Sequence, residues 1–255
     1  MADSKQHTGR FEKRHDPFWP LDILCEDGPV IAINKPAGLL TQGGPPGNPD
    51  TVTALIKRYL KEKYNKPGNV YLGVPHRLDR PVTGVLVLAR NSKAAARLAE
   101  QFRDRKVRKI YWAVVEGVVD PPEGEFTDWL VKHADKAHVE VADEDHDDSK
   151  ECRLRYRTLS VANNAGGRGR LSVVEIELLT GRSHQIRVQF ASRGYPIVGD
   201  VQYGATQNLP NASGSDNFRE RPIALHARRL TILHPVRYDE LTITAPPPRS
   251  WKRWL

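Results

Sequence analysis

The sequence His76-Arg77-Leu78-Asp79-Arg80 sets a carboxylate between two arginines, just ahead of an apolar run at Val85–Ala89. Cationic neighbours favour the ionised form of a carboxylate, so Asp79 has the makings of a charged nucleophile or a base. The plainer use of the same residues is a surface salt bridge, which contributes little. A second polar concentration runs Thr180-Gly181-Arg182-Ser183-His184-Gln185-Ile186-Arg187, between a strand pattern and a short helix pattern. Arg182, His184 and Gln185 at such a junction suit an anion or the edge of a base. Arg187 would share its helix with Ile186 and Phe190, so it is expected to be buried. A buried arginine needs a carboxylate partner, and Asp79 is the candidate. No Gly-x-Gly-x-x-Gly or P-loop spacing accompanies these segments, and no cofactor is expected.

The elements that must position these residues can be read from hydropathy. Pro29–Asn34 is a buried strand, stopped by Lys35-Pro36-Ala37-Gly38. Asp50 can cap a helix with apolar positions Val52, Leu55, Ile56, Tyr59 and Leu60. A second helix starts near Asn91 or Ser92, with Ala95, Leu98, Ala99 and Phe102 inward and Lys93, Arg97 and Arg103 on its other face. Ile110–Glu116 is a strand. Cys152, Leu154 and Tyr156 alternate with Arg153, Arg155 and Arg157, which predicts a strand with one basic, wet face. Val174, Ile176 and Leu178 define its partner, across a turn signal at Asn163–Gly167. A short helix spans Gln185–Arg193 and stops at Gly194, and 223–233 and 241–244 are closing strands. Strands cluster as hairpins, which gives an α+β fold with a mixed sheet and excludes a doubly wound one.

The 255 residues are 39% hydrophobic and 27% charged, with a net charge of +8, as expected of a globular chain with a core. One large domain or two would fit that length. Residues 1–18 read as a disordered polar tail without the apolar segment of a secretory signal. No stretch approaches a membrane span. Cys25 and Cys152 lack metal or redox spacing, so free thiols and a cytoplasmic location are expected. Residues 90–109 hold eight basic and two acidic side chains, which suits a polyanionic partner, nucleic acid first, and on charge alone suits a solvated helix face equally. Residues 133–151 carry eight acidic residues and two lysines; their histidines (His133, His138, His146) are irregularly spaced, and a solvated loop or hairpin edge is expected in place of a metal site.

His76–Arg80 with Thr83-Gly84, together with Thr180–Val188, resembles the RluA family of RNA pseudouridine synthases. The resemblance runs over about residues 20–246 through the segments 23–40, 108–117, 196–204 and 225–235, in the family's order. It implies a single catalytic domain at 19–255 with the family's mixed, mostly antiparallel sheet flanked by helices. The implied reaction is isomerisation of uridine in structured RNA, ribosomal (large subunit) or transfer, by a monomer without cofactor or metal. The base is cut from its ribose at nitrogen 1, turned, and rejoined through carbon 5. By the resemblance, Asp79 is the nucleophile, Arg77 helps extrude the nucleotide and fills the gap, Tyr111 is a stacking wall and general base, and Arg187 pairs with Asp79. His76, Arg80, Arg182, His184 and Gln185 are expected to hold substrate, and Arg97 and Arg103 to hold RNA phosphates. The family's usual Asp-Arg-x-Thr-Ser-Gly is here Asp79-Arg80-Pro81-Val82-Thr83-Gly84, a change that keeps side-chain size and leaves the nucleophile in place. With about 20 residues before the core, no accessory RNA-binding domain is expected. A catalytically silent RNA-binding or assembly factor on the same scaffold is the alternative; a hydrolytic nuclease would need carboxylates at metal spacing.

Overall fold

The computed structural model describes residues 21–43, 51–133, 138–163, 169–209 and 221–255; the tail at 1–18, Asp50, and most of the 163–167 turn lie outside them. The strands are β1 (Asp22–Asp27), β2 (Val30–Lys35), β3 (Thr83–Ala89), β4 (Arg108–Glu116), β5 (Glu123–Lys132), β6 (Val139–Ala142), β7 (Lys150–Asn163), β8 (Arg170–Leu178), β9 (Leu225–Leu233) and β10 (Glu240–Thr244). The helices are α1 (Val52–Lys63), α2 (Ser92–Arg103) and α3 (Gln185–Ala191). Among the described residues no helix is long and apolar enough to cross a membrane.

The strands form one sheet in the order β1-β2-β3-β9-β4-β8-β7-β5-β6, with β10 on β9. Every pairing is antiparallel except β3 with β9, so the sheet is mixed and mostly antiparallel. That parallel contact is only two residues long, Thr83 to His226 and Gly84 to Ala227, and β10 takes the rest of that β9 edge. Gly84 allows it: its φ is +113°, and a Cβ there would lie 2.3 Å from the Ala227 carbonyl oxygen. Thr83 joins the two strands again, its hydroxyl 2.8 Å from His226 Nδ1.

Local chemistry fixes the helices. Thr51 caps α1 by accepting the Ala54 N–H at 3.2 Å, and Val52, Leu55, Ile56 and Leu60 face inward. Asn91 caps α2 in the same way, accepting from Ala94 N at 2.8 Å. Successive side chains of β3 point to opposite faces. Leu86 and Leu88 join the main core with Leu55 and Ile56 of α1 and Ile186 and Phe190 of α3. Val85, Val87 and Ala89 join a second core with Ala94 and Leu98 of α2. The basic helix α2 and the helix bearing Arg187 thus lie on opposite faces of the sheet. β7 has the expected alternation, with Cys152, Leu154 and Tyr156 buried. The acidic stretch carries β6, the outer strand of a hairpin with β5.

Candidate active site

Asp79 lies on the loop before β3, and a buried lysine holds that loop in shape. Lys35 ends the apolar strand β2, and its Nζ donates to the carbonyls of Pro36, Leu39 and Arg80 at 2.8, 2.9 and 3.2 Å. Its side chain is fully buried. Burial pushes its pKa down to about 7, while the nearby Asp79 charge acts in the opposite direction. Arg80 Nε donates to Gly38 O and Gly38 N–H to Arg80 O, both at 2.8 Å. Thr41 Oγ1 donates to Leu78 O at 3.1 Å and accepts the Leu78 N–H at 3.4 Å. The segment 35–41, which opens on the strand stop at Lys35-Pro36-Ala37-Gly38, is therefore a clamp on the Asp79 loop.

The basic groups around Asp79 are not its neighbours in sequence. Among the described residues, those within 4 Å of its carboxylate are Arg187, with Nη1 at 3.6 Å, and His184, with Nε2 at 3.8 Å. Arg187 is only 4% exposed, as its apolar helix predicts. Its hydrogen-bonded carboxylate, however, is Asp200 and not Asp79. Nε and Nη2 donate to the two Asp200 oxygens at 2.6 and 2.7 Å, and Nη2 also reaches Gln202 Oε1 at 3.1 Å. Asp200 is itself 2% exposed. The guanidinium lies over the Tyr203 ring, 4.8 Å from its centre. One face of Arg187 is thereby satisfied, and its remaining nitrogen is turned to an Asp79 side chain that is still 34% exposed.

Tyr111 on β4 completes this cluster. Burial first, and then the Asp79 charge, hold its hydroxyl well above the usual phenol range. His184 stands just before α3 with a left-handed φ of 52°, and its Nδ1 lies 2.7 Å from the Tyr203 hydroxyl. Burial lowers its pKa, against the opposing pull of Asp79.

The other expected residues separate by what they touch. Arg77 is exposed and makes no hydrogen bond or ion pair among the described residues. His76 is turned inward: Nε2 accepts the Val87 N–H at 2.9 Å, the ring stacks on Phe102 at 4.4 Å, and burial lowers its pKa to about 3. Gln185 is buried and braces the interior, with Oε1 accepting from Thr180 Oγ1 and Arg182 N and Nε2 donating to Arg153 O. Arg182 Nε donates to the Glu151 carbonyl at 3.1 Å. Gln185 thus serves the scaffold, because both of its polar atoms are already committed to it, and so does Nε2 of His76. On α2, Arg97 Nη1 donates to Pro235 O at 2.6 Å and covers the Tyr238 ring, while Arg103 is exposed beside Asp104. Both lie on the helix of the opposite sheet face. The sequence reading gave no role to Lys35, Asp200 or Tyr203. A lysine closing an all-apolar strand, and an Asp and Tyr three apart in the quoted segment 196–204, were the available signals.

The sequence matches a family model described as RNA pseudouridylate synthase over residues 29–192. It is 38% identical to ribosomal large subunit pseudouridine synthase D of Xylella fastidiosa, over 91% of this chain and 67% of that one. It is 33% identical to tRNA pseudouridine synthase C of Salmonella typhi, over 92% of this chain and 88% of the relative. Among solved structures, human RNA pseudouridylate synthase domain containing 4 superposes with a TM-score of 0.71 at 27% identity, covering 91% of this chain and 92% of that one.

Proposed function

The chain belongs to the RNA pseudouridylate synthase family, and we propose that it modifies uridines of large-subunit ribosomal RNA or of transfer RNA with Asp79 as the nucleophile. One observation carries the assignment of Asp79: a partly exposed carboxylate faces Nη1 of a buried arginine whose other nitrogens are engaged by Asp200. The carboxylate is oriented without being locked into a bidentate pair, so an oxygen is left to meet a substrate.

The substrate uridine must leave its stack, which costs a few kcal/mol. Arg77, on the Asp79 loop and with no partner among the described residues, supports the role of filling the gap and binding phosphate. Tyr111, as a neutral phenol, supplies a wall for the base while it is detached, turned and rejoined. The loop clamp through Lys35 keeps Asp79 in register during that turn. The free, buried Cys25 and Cys152 support a reducing compartment such as the cytoplasm. The reading as a silent RNA-binding factor is not favoured by this geometry, since binding alone has no need of an oriented, accessible carboxylate. The purified chain, incubated with unmodified large-subunit rRNA and with tRNA, should form pseudouridine at discrete positions in one of them when mapped at single-base resolution. Tight binding without new pseudouridine in either would favour the silent factor.

A further inference from the structure

Tyr203 stands one residue beyond the site in the chain of contacts that reaches Asp79. Its hydroxyl has two partners among the described residues: it accepts the Val139 N–H at 3.2 Å and lies 2.7 Å from His184 Nδ1. A phenol has one hydrogen to donate. With Val139 supplying a donor, His184 Nδ1 is the acceptor available for that hydrogen. The neutral imidazole then carries its own hydrogen on Nε2, the nitrogen 3.8 Å from the Asp79 carboxylate. We propose that Tyr203 is a positioning residue that fixes His184 as the Nε2–H tautomer, so that a neutral donor faces the nucleophile.

The surroundings agree. The His184 backbone sits in the left-handed region, uncommon for a residue with a side chain, and its carbonyl accepts the Val188 N–H at 3.0 Å at the start of α3. The groups facing the imidazole are Asp79 from the loop before β3, Arg187 from α3, Asp200 and Tyr203 from the turn after β8 and α3, and His138 from the approach to β6. Burial disfavours the charged form of His184 and also raises the Tyr203 hydroxyl to about 12, which keeps it a donor. A separation of 3.8 Å is longer than a hydrogen bond, and such contacts commonly tighten only when substrate is bound. An imidazolium in this place would instead engage Asp79 as a full ion pair and blunt its nucleophilicity. The inference rests on Asp79 being the nucleophile.

The test is Tyr203→Phe, which keeps the ring under Arg187 and removes only the hydroxyl. It should lower kcat by about 3- to 10-fold, the kinetic equivalent of one hydrogen bond, with KM little changed. Loss of the donor to Nδ1 makes protonation of His184 easier, so the acid limb of the kcat profile should move to higher pH. In a His184→Asn background the same change should add no further loss, because Tyr203 acts through His184. Nitrogen NMR of histidine-labelled wild type, with the His184 signals assigned by that variant, should show the Nε2–H tautomer. An Nδ1–H tautomer in the wild type, or an unchanged kcat and acid limb in Tyr203→Phe, overturns the inference. An Asp79→Asn control separates the two readings: if it is inert while Tyr203→Phe behaves as wild type, only the Tyr203 inference fails; if it turns over, the nucleophile assignment fails too.

Discussion

The arginines of α3 and α2 carry the same charge in opposite settings. Arg187 is 4% exposed and surrounded by Asp200, Gln202, Tyr203 and Asp79. Arg103 is 73% exposed beside the next residue in its own chain, and Arg97 ties down the loop after β9 through a backbone carbonyl. A run of cations in the sequence locates a surface that polyanions will tolerate. A single cation on an apolar helix locates a place where burial had to be compensated, and there the compensating groups define the chemistry. The sheet separates the two settings, since α2 belongs to the core on one of its faces and α3 to the core on the other.

The sharpest way to break this contrast is to remove the compensation. Asp200→Ala leaves the buried Arg187 guanidinium with the looser Asp79 as its one carboxylate, beside the neutral Gln202 and Tyr203, and should cost about 3–5 kcal/mol in urea denaturation. A cost below about 1 kcal/mol, the scale of an exposed pair, would mean that the Arg187–Asp200 pair is solvated in solution and that the two settings are not distinct.

On the RNA side the expected effects are smaller. Each phosphate contact contributes about −0.7 to −0.9 to the slope of log affinity against log salt. Arg77→Ala should flatten that slope by about one contact. Neutralising Arg97 and Arg103 together should flatten it by less than about one, because Arg97 is committed to Pro235 and both lie on the helix of the other face. A flattening of about 1 to 2 in the α2 variant would put the RNA track on that helix after all.

Much of the fold was legible because its strands and helices follow simple periodicities. The alternation of Cys152, Leu154 and Tyr156 with three arginines marked β7, and the spacing of Ala95, Leu98 and Phe102 marked α2. β1 and β5 escaped the pattern reading since charged residues interrupt both: only Cys25 is buried in β1, and β5 opens on three exposed residues. In the site, Asp79, Tyr111 and Arg187 were legible through family motifs, and the burial of Arg187 through its apolar helix. Its true partner was not. Asp200 lies 13 positions away on a turn, and no local pattern tells which of two carboxylates a folded chain brings to a guanidinium. The inward hydrogen bonds of His76 and Gln185 were not legible for the converse reason, because a polar residue in a motif looks the same whether it meets a substrate or a backbone amide.

In the proposed reaction Asp79 does the covalent work while the groups around it orient it. Asp79→Asn keeps the side chain's size and removes the nucleophilic carboxylate. Binding of one substrate RNA and pseudouridine formation under single turnover should be measured on the same preparation of this variant. Wild-type-like folding and binding with no pseudouridine is the predicted result, and pseudouridine formed at the wild-type rate would contradict the account.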